Sequence, residues 1–292
     1  MQIGANGITL EVEDRGPAAG EPVLLIMGLG MQLSAWPEEL LDGLVERGMR
    51  PIVFDNRDIG LSTKFDHWGR PNLLGVTLQN MLRLPIRAPY KLSDMARDAD
   101  GLLDALGIAS AHVVGVSMGG MIAQHLAAEH PARVKSLTLV MTSSGARGLP
   151  GPTALARRAL LSRPRGRDLA ALVEHGVGVW KVIGSPGYPS DDAVLKAKVE
   201  RSLKRSYHPA GMARQLVAVV ASGDRSAFLG RVRQPVKVVH GRADPLVPLA
   251  CGEDLARKIP GAELTVIDGM GHDLPAPLLG RLAGMVAAHA GR

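Results

Sequence analysis

The chain has a single cysteine, Cys251, so no internal disulfide can form, and no cysteine–histidine cluster suggests a structural zinc. Aromatic residues make up only 3% of its 292 residues. Such scarcity argues against the stacking platforms that single-stranded nucleic-acid binders use. No apolar stretch approaches about 18 residues, so no membrane span is expected. The N-terminal run reaches Glu11, Glu13 and Asp14 early and lacks the basic and apolar regions of a signal peptide. Together with the cysteine scarcity, this makes a cytoplasmic location the default expectation. Acidic residues are missing between Arg147 and Arg167, where six arginines fall (147, 157, 158, 163, 165 and 167). With a net charge of +6, this run reads as a solvated face, without the binding module or interleaved aromatics that a nucleic-acid reading requires.

What is present is an apolar fraction of 46%, enough for a substantial core. Up to Thr142 short apolar runs alternate with helical patterns such as Asp94 to Leu106. That alternation predicts an α/β fold with a mostly parallel sheet and helices on both faces. From Ser143 to about Arg233 the alternation stops, and helical stretches, proline and glycine take over. The expected organisation is a core domain from 1–142 and 234–292, with a mostly helical cap at 143–233.

The most informative run is Gly115-Val116-Ser117-Met118-Gly119. The β-branched segment Ala111 to Val116 before it reads as a buried strand, and Met121 to Glu129 after it reads as a helix ending before Pro131. A serine on such a strand-to-helix turn stands exposed at the sheet edge as a nucleophile. It needs a general base and a group to orient that base, in the chain order serine, acid, histidine. Val236 to His240 predicts a strand leading to Asp244, and Glu263 to Ile267 predicts another leading to His272. Asp268 and Asp273 lie too close in sequence to His272 to reach its far ring nitrogen, Asp224 precedes its strand, and His240 reads as a buried histidine. His125 and His130 belong to the helix after the serine, and His112 to the wrong end of its strand. Val23 to Met27 predicts an early strand, and the loop Gly28-Leu29-Gly30 after it offers the Leu29 amide as an oxyanion donor beside that of Met118. Met27, Met31, Met121, Met141 and Met270, like Met118, lie at or beyond predicted strand ends, where pliable side chains would line an apolar substrate pocket.

These motifs resemble the α/β-hydrolase superfamily over residues 8–289. Phe54-Asp55-Asn56-Arg57-Asp58-Ile59-Gly60-Leu61-Ser62 is similar to its Asp-x-Arg-Gly-x-Gly-x-Ser segment, with Asp58 in place of the usual glycine. Within the superfamily, Met27-Gly28-Leu29, the stretch Leu33 to Pro37, Trp180 and Tyr188 to Asp192 look like the aclacinomycin methylesterase group. The resemblance implies ester hydrolysis by Ser117, Asp244 and His272 with the Leu29 and Met118 amides as oxyanion hole, on a small-molecule ester and without cofactor or metal. Lactone hydrolysis, perhydrolysis (cofactor-free haloperoxidase chemistry) and carbon–carbon bond cleavage are open to the same triad. A non-catalytic ligand-binding protein on this fold is the remaining alternative. The sequence leaves a homodimer open.

Overall fold

The computed structural model describes residues 1–291. Eight strands form one sheet: β1 (Gln2–Ala5), β2 (Ile8–Asp14), β3 (Glu21–Ile26), β4 (Met49–Phe54), β5 (Ala111–Val116), β6 (Val134–Val140), β7 (Val236–Gly241) and β8 (Glu263–Ile267). Their spatial order is β1-β2-β4-β3-β5-β6-β7-β8. β1 and β2, and β2 and β4, pair antiparallel, and every later pair is parallel. β5 lies between β3 and β6, and all six of its residues are buried. A central parallel strand is covered on both faces, which is why its sequence is apolar apart from His112 instead of alternating.

Helices close both faces. α1 (Glu38–Val45) lies on one face, through Leu40, Leu41 and Leu44. It packs there against α11 (Leu279–Ala290), whose Leu282, Ala283 and Val286 join the same cluster. The opposite face is covered by α3 (Leu92–Ala105), α4 (Met118–Glu129) and α10 (Leu249–Lys258), with Met95, Leu102, Ile122, Leu126 and Leu255 in its core. One short helix, α2 (Leu73–Met81), intervenes between β4 and α3 and buries none of its residues.

Between β6 and β7 the chain runs through five helices: α5 (Ala154–Leu161), α6 (Leu169–Ile183), α7 (Asp192–Arg205), α8 (Pro209–Ser222) and α9 (Ser226–Leu229). α6 and α7 share a small cluster of their own, Val173, Leu195 and Val199, with Trp180 against it. Ala218 of α8 and Leu229 of α9 instead join the core beneath the sheet. The insertion is pinned to the core by two buried carboxylates. Arg205, at the end of α7, reaches Asp55 at 2.7 Å. Arg214 of α8 grips both oxygens of Asp58 at 2.8 and 2.7 Å. Burial alone would raise the Asp58 carboxyl, but hydrogen bonds from Arg214, the Phe65 amide and the Tyr90 hydroxyl outweigh it and hold it below the ordinary carboxylate range.

Candidate active site

Three loops leave the carboxyl ends of β5, β7 and β8 at one edge of the sheet, and each delivers one polar side chain. Ser117 follows β5 directly and precedes the first residue of α4. Its backbone sits at φ 54° and ψ −119°, a region that non-glycine residues rarely adopt. The neighbours explain how the turn is held there. A Cβ on Gly119 would lie 1.9 Å from the Ile26 carbonyl, and one on Gly115 would lie 2.5 Å from the Gly119 carbonyl. Only glycines at both positions let strand and helix approach this closely. The Ser117 amide donates to Val140 O at 3.0 Å, and Thr142 Oγ1 donates to Ser117 O at 2.6 Å.

His272 Nε2 stands 3.0 Å from Ser117 Oγ, and its Nδ1 stands 2.7 Å from Asp244 Oδ2. The other oxygen of Asp244 accepts the Leu246 and Val247 amides at 2.9 and 2.8 Å, so both lobes of the carboxylate are engaged. A carboxylate on Nδ1 keeps the proton there and leaves Nε2 to accept from the serine hydroxyl. Such a chain can raise the nucleophilicity of the hydroxyl and move its proton to a leaving group.

The loop after β3 runs alongside. Gly28 is close enough to Ser117 that a Cβ there would lie 3.2 Å from the serine Cβ. The next glycine, Gly30, donates its amide to Gln215 Oε1 of α8 at 2.9 Å, while Gln215 Nε2 donates to Arg57 O at 2.9 Å. Gln215 thus ties the Leu29 loop to the insertion. Met118 is the first residue of α4, and an amide there has no intrahelical acceptor.

The insertion also holds the histidine loop. The His272 amide donates to Ile183 O at 2.7 Å, and the Gly187 amide donates to Gly269 O at 2.9 Å. Ser185 Oγ accepts the Gly271 amide at 2.8 Å and donates to Asp273. Burial pushes the Asp273 carboxyl above its usual range, against the pull of its Ser185 hydrogen bonds.

The remaining candidates lie elsewhere. Asp268 is exposed and paired with Arg242 at 2.5 Å, and Asp224 accepts the Ser226 amide. His240 is fully buried, with Nε2 on Val247 O at 2.8 Å, and burial lowers its pKa. His125 pairs with Glu129, His130 with Asp100, and His112 with Ser136 and Glu21. Among the methionines, Met27, Met141 and Met270 are buried in one core cluster, and Met118 in the other. Met31 and Met121 are only partly buried against those clusters. No group of residues able to hold a metal ion occurs among the described residues. Gln215, Ser185 and Arg214 carry no motif, and only the folded chain brings them to the site loops.

A family profile described as alpha/beta hydrolase fold matches residues 21–275. The chain belongs to that family. This hydrolase is 30% identical over 304 residues to the rhodomycin D methylesterase DnrP of Streptomyces peucetius, covering 97% of this chain and 95% of that one. It is also 30% identical over 265 residues to a putative carbamate hydrolase RutD of Variovorax paradoxus, covering 90% and 89% of the two chains. In three dimensions the hydrolase is similar to an esterase from Exiguobacterium antarcticum, with a TM-score of 0.73 at 20% identity over 100% and 99% of the chains. At that identity the likeness speaks for the fold alone. The near full-length similarity to a methylesterase agrees with the resemblance carried by Met27-Gly28-Leu29 and the Trp180 region.

Proposed function

We propose that the protein is a serine carboxylesterase acting on small to medium carboxylic esters. The observation that carries this reading is the unbroken run of hydrogen bonds from Asp244 through His272 to Ser117, at 2.7 and 3.0 Å. His272 Nε2 takes the hydroxyl proton as Ser117 Oγ adds to the ester carbonyl. The negative charge that develops on the carbonyl oxygen meets the Leu29 and Met118 amides. The intermediate collapses, the alkoxide leaves with the proton from His272, and the acyl group stays on Ser117. Water then gives a proton to the same nitrogen as it attacks the acyl-enzyme, and the acid leaves as His272 returns that proton to Ser117 Oγ. Asp244 holds the imidazole in one tautomer throughout and steadies its positive charge.

The helical stretch at 143–233 serves as a cap, a reading supported by its contacts with the Leu29 loop through Gln215 and with the histidine loop through Ile183 and Ser185. Met31 and Met121, the partly buried methionines, are the pocket-lining candidates with side chains closest to solvent. The methylesterases among the relatives favour a small alcohol leaving group. Turnover of p-nitrophenyl esters of increasing acyl length, with methyl esters and lactones alongside, tests the assignment. The wild type should cleave the short and medium esters, and Ser117→Ala should not. Equal turnover by both proteins would remove Ser117 from the mechanism.

A further inference from the structure

Thirteen large apolar side chains are exposed among the described residues, and six of them fall within 68–84: Trp68, Leu74, Leu78, Met81, Leu82 and Leu84. Leu74 is 84% exposed and Met81 74%. Leu74, Leu78 and Met81 recur at helical spacing along α2, so they form a stripe on one side of it. An amphipathic helix normally turns such a stripe toward the core. α2 buries no residue at all. At nine residues it is also too short to owe its helicity to propensity alone. Its N-terminal cap, Asn72 Oδ1 accepting the Gly75 amide at 3.1 Å, is the local device that starts it.

Along the chain through this stripe, charge has one sign. From His67 to Ser93 there is no aspartate or glutamate, while Arg70, Arg83, Arg87 and Lys91 fall within that stretch. Arg147 shares a surface cavity with Met81, Arg83 and Leu84, which places a further cation beside the patch. Among the described residues none of Arg70, Arg83, Arg87 and Arg147 lies within ion-pair distance of a carboxylate. Arg87 instead sits over the Trp68 ring at 5.5 Å. An exposed tryptophan beside an arginine is the pairing that settles at a lipid–water boundary, ring at headgroup depth and cation among phosphates. A second copy of the chain fits the patch poorly, since a two-fold contact through α2 would bring the same unpaired arginines together.

We infer that α2 and the loop following it form a peripheral docking surface for an anionic lipid bilayer. Leu74, Leu78 and Met81 enter the headgroup–acyl boundary, and Arg83, Arg87 and Arg147 meet lipid phosphates. The contact is interfacial and needs no spanning segment; no helix among the described residues is long and apolar enough to cross a membrane. The inference is independent of the esterase reading, because it uses none of the site residues.

Sedimentation of the full chain with vesicles tests it, using equimolar phosphatidylglycerol and phosphatidylcholine against phosphatidylcholine alone. The chain should sediment with the anionic vesicles and not with the neutral ones, and 0.5 M salt should release it. A cation near an anionic surface strengthens binding about fivefold. Arg83→Glu with Arg87→Glu should therefore weaken partitioning by about twentyfold or more. Leu74→Ser with Leu78→Ser should weaken it by about tenfold or more. Unaltered helicity by circular dichroism and unaltered thermal midpoints show that both variants are folded. Failure to sediment with anionic vesicles, or sedimentation indifferent to both double variants, would overturn the inference. So would light scattering that finds a dimer which Leu74→Ser with Leu78→Ser dissociates, because the stripe would then be covered by a second copy.

Discussion

Ser117 occupies a backbone conformation that a side chain tolerates poorly, and the turn is clamped around it by Val140 O and Thr142 Oγ1. A residue held in such a region costs of order 1–3 kcal/mol. Ser117→Gly should therefore abolish turnover and still stabilise the protein by about 1 kcal/mol, after the extra chain entropy of glycine is subtracted. Urea denaturation reads this as a higher midpoint at unchanged slope; a lower midpoint would mean that the serine side chain contributes packing that outweighs the strain. Asp244 allows a second test at the same scale. Asp244→Asn keeps the shape but offers Nδ1 the wrong partner, and kcat should fall by about 10³–10⁴-fold with KM little changed. His240 Nε2 lies 3.8 Å from Asp244 Oδ2 and cannot substitute, being bonded to Val247 O. Near wild-type kcat in Asp244→Asn would show that another group orients the base.

Whole elements carry the next layer, and the ion pair between Asp58 and Arg214 is the clearest case. Asp58 stands where the segment it resembles has glycine, and it keeps the positive φ, 72°, that glycine would favour. Its side chain gives α8 an anchor in return. Removing one partner of a buried pair strands the other charge, and the cost is about 3–5 kcal/mol. Asp58→Gly alone should lower stability by up to that order, since the buried guanidinium keeps only the exposed Asp66 carboxylate at 2.9 Å, whereas Asp58→Gly with Arg214→Met should recover most of it. A double variant as unstable as the single one would assign the loss to packing. This anchor was out of reach of sequence reading. The strands β5, β7 and β8 announce themselves through local apolar runs, and Ser117, Asp244 and His272 follow from where those runs end. Asp58 and Arg214 are 156 positions apart, and nothing in either neighbourhood names the other. Gln215 and Ser185 escaped for the same reason: a lone polar residue in a helical or loop stretch looks solvated until the fold brings an amide to it. The segment resembling Asp-x-Arg-Gly-x-Gly-x-Ser was legible as a family likeness. Its role as the landing point for Arg205 and Arg214 was not.

Across the whole molecule, a fall from pH 8 to pH 5 should act chiefly through buried histidines. Burial lowers the pKa of His112, His125 and His240, so the folded state binds protons less readily than the unfolded chain does. A depressed pKa gives stability that is complete above the ordinary imidazole value of about 6.5 and is lost as pH falls through the folded values. Asp98 and Asp273 work in the opposite sense, since burial raises both. The difference between wild type and His125→Gln isolates the histidine contribution. Denaturation midpoints measured from pH 8 to pH 5 should fall less steeply in the variant, and parallel profiles would mean that His125 titrates alike in both states.

The histidine loop is fastened to the insertion largely by main chain: the His272 amide to Ile183 O, the Gly187 amide to Gly269 O, and Gly271 so close to Gly184 that a Cβ would lie 2.3 Å from its carbonyl. Main-chain bonds of this kind do not depend on which side chains the neighbouring helices bear. α6 and α7 can therefore exchange the residues they present without disturbing the imidazole, provided the glycines and the path of the chain at 183–187 are kept. On the proposed reading of 143–233 as a cap, divergence in what such proteins accept is then free to proceed in those helices while the proposed proton-transfer chain stays in register, and a graft of foreign α6–α7 side chains onto this backbone should alter selectivity before it alters catalytic competence.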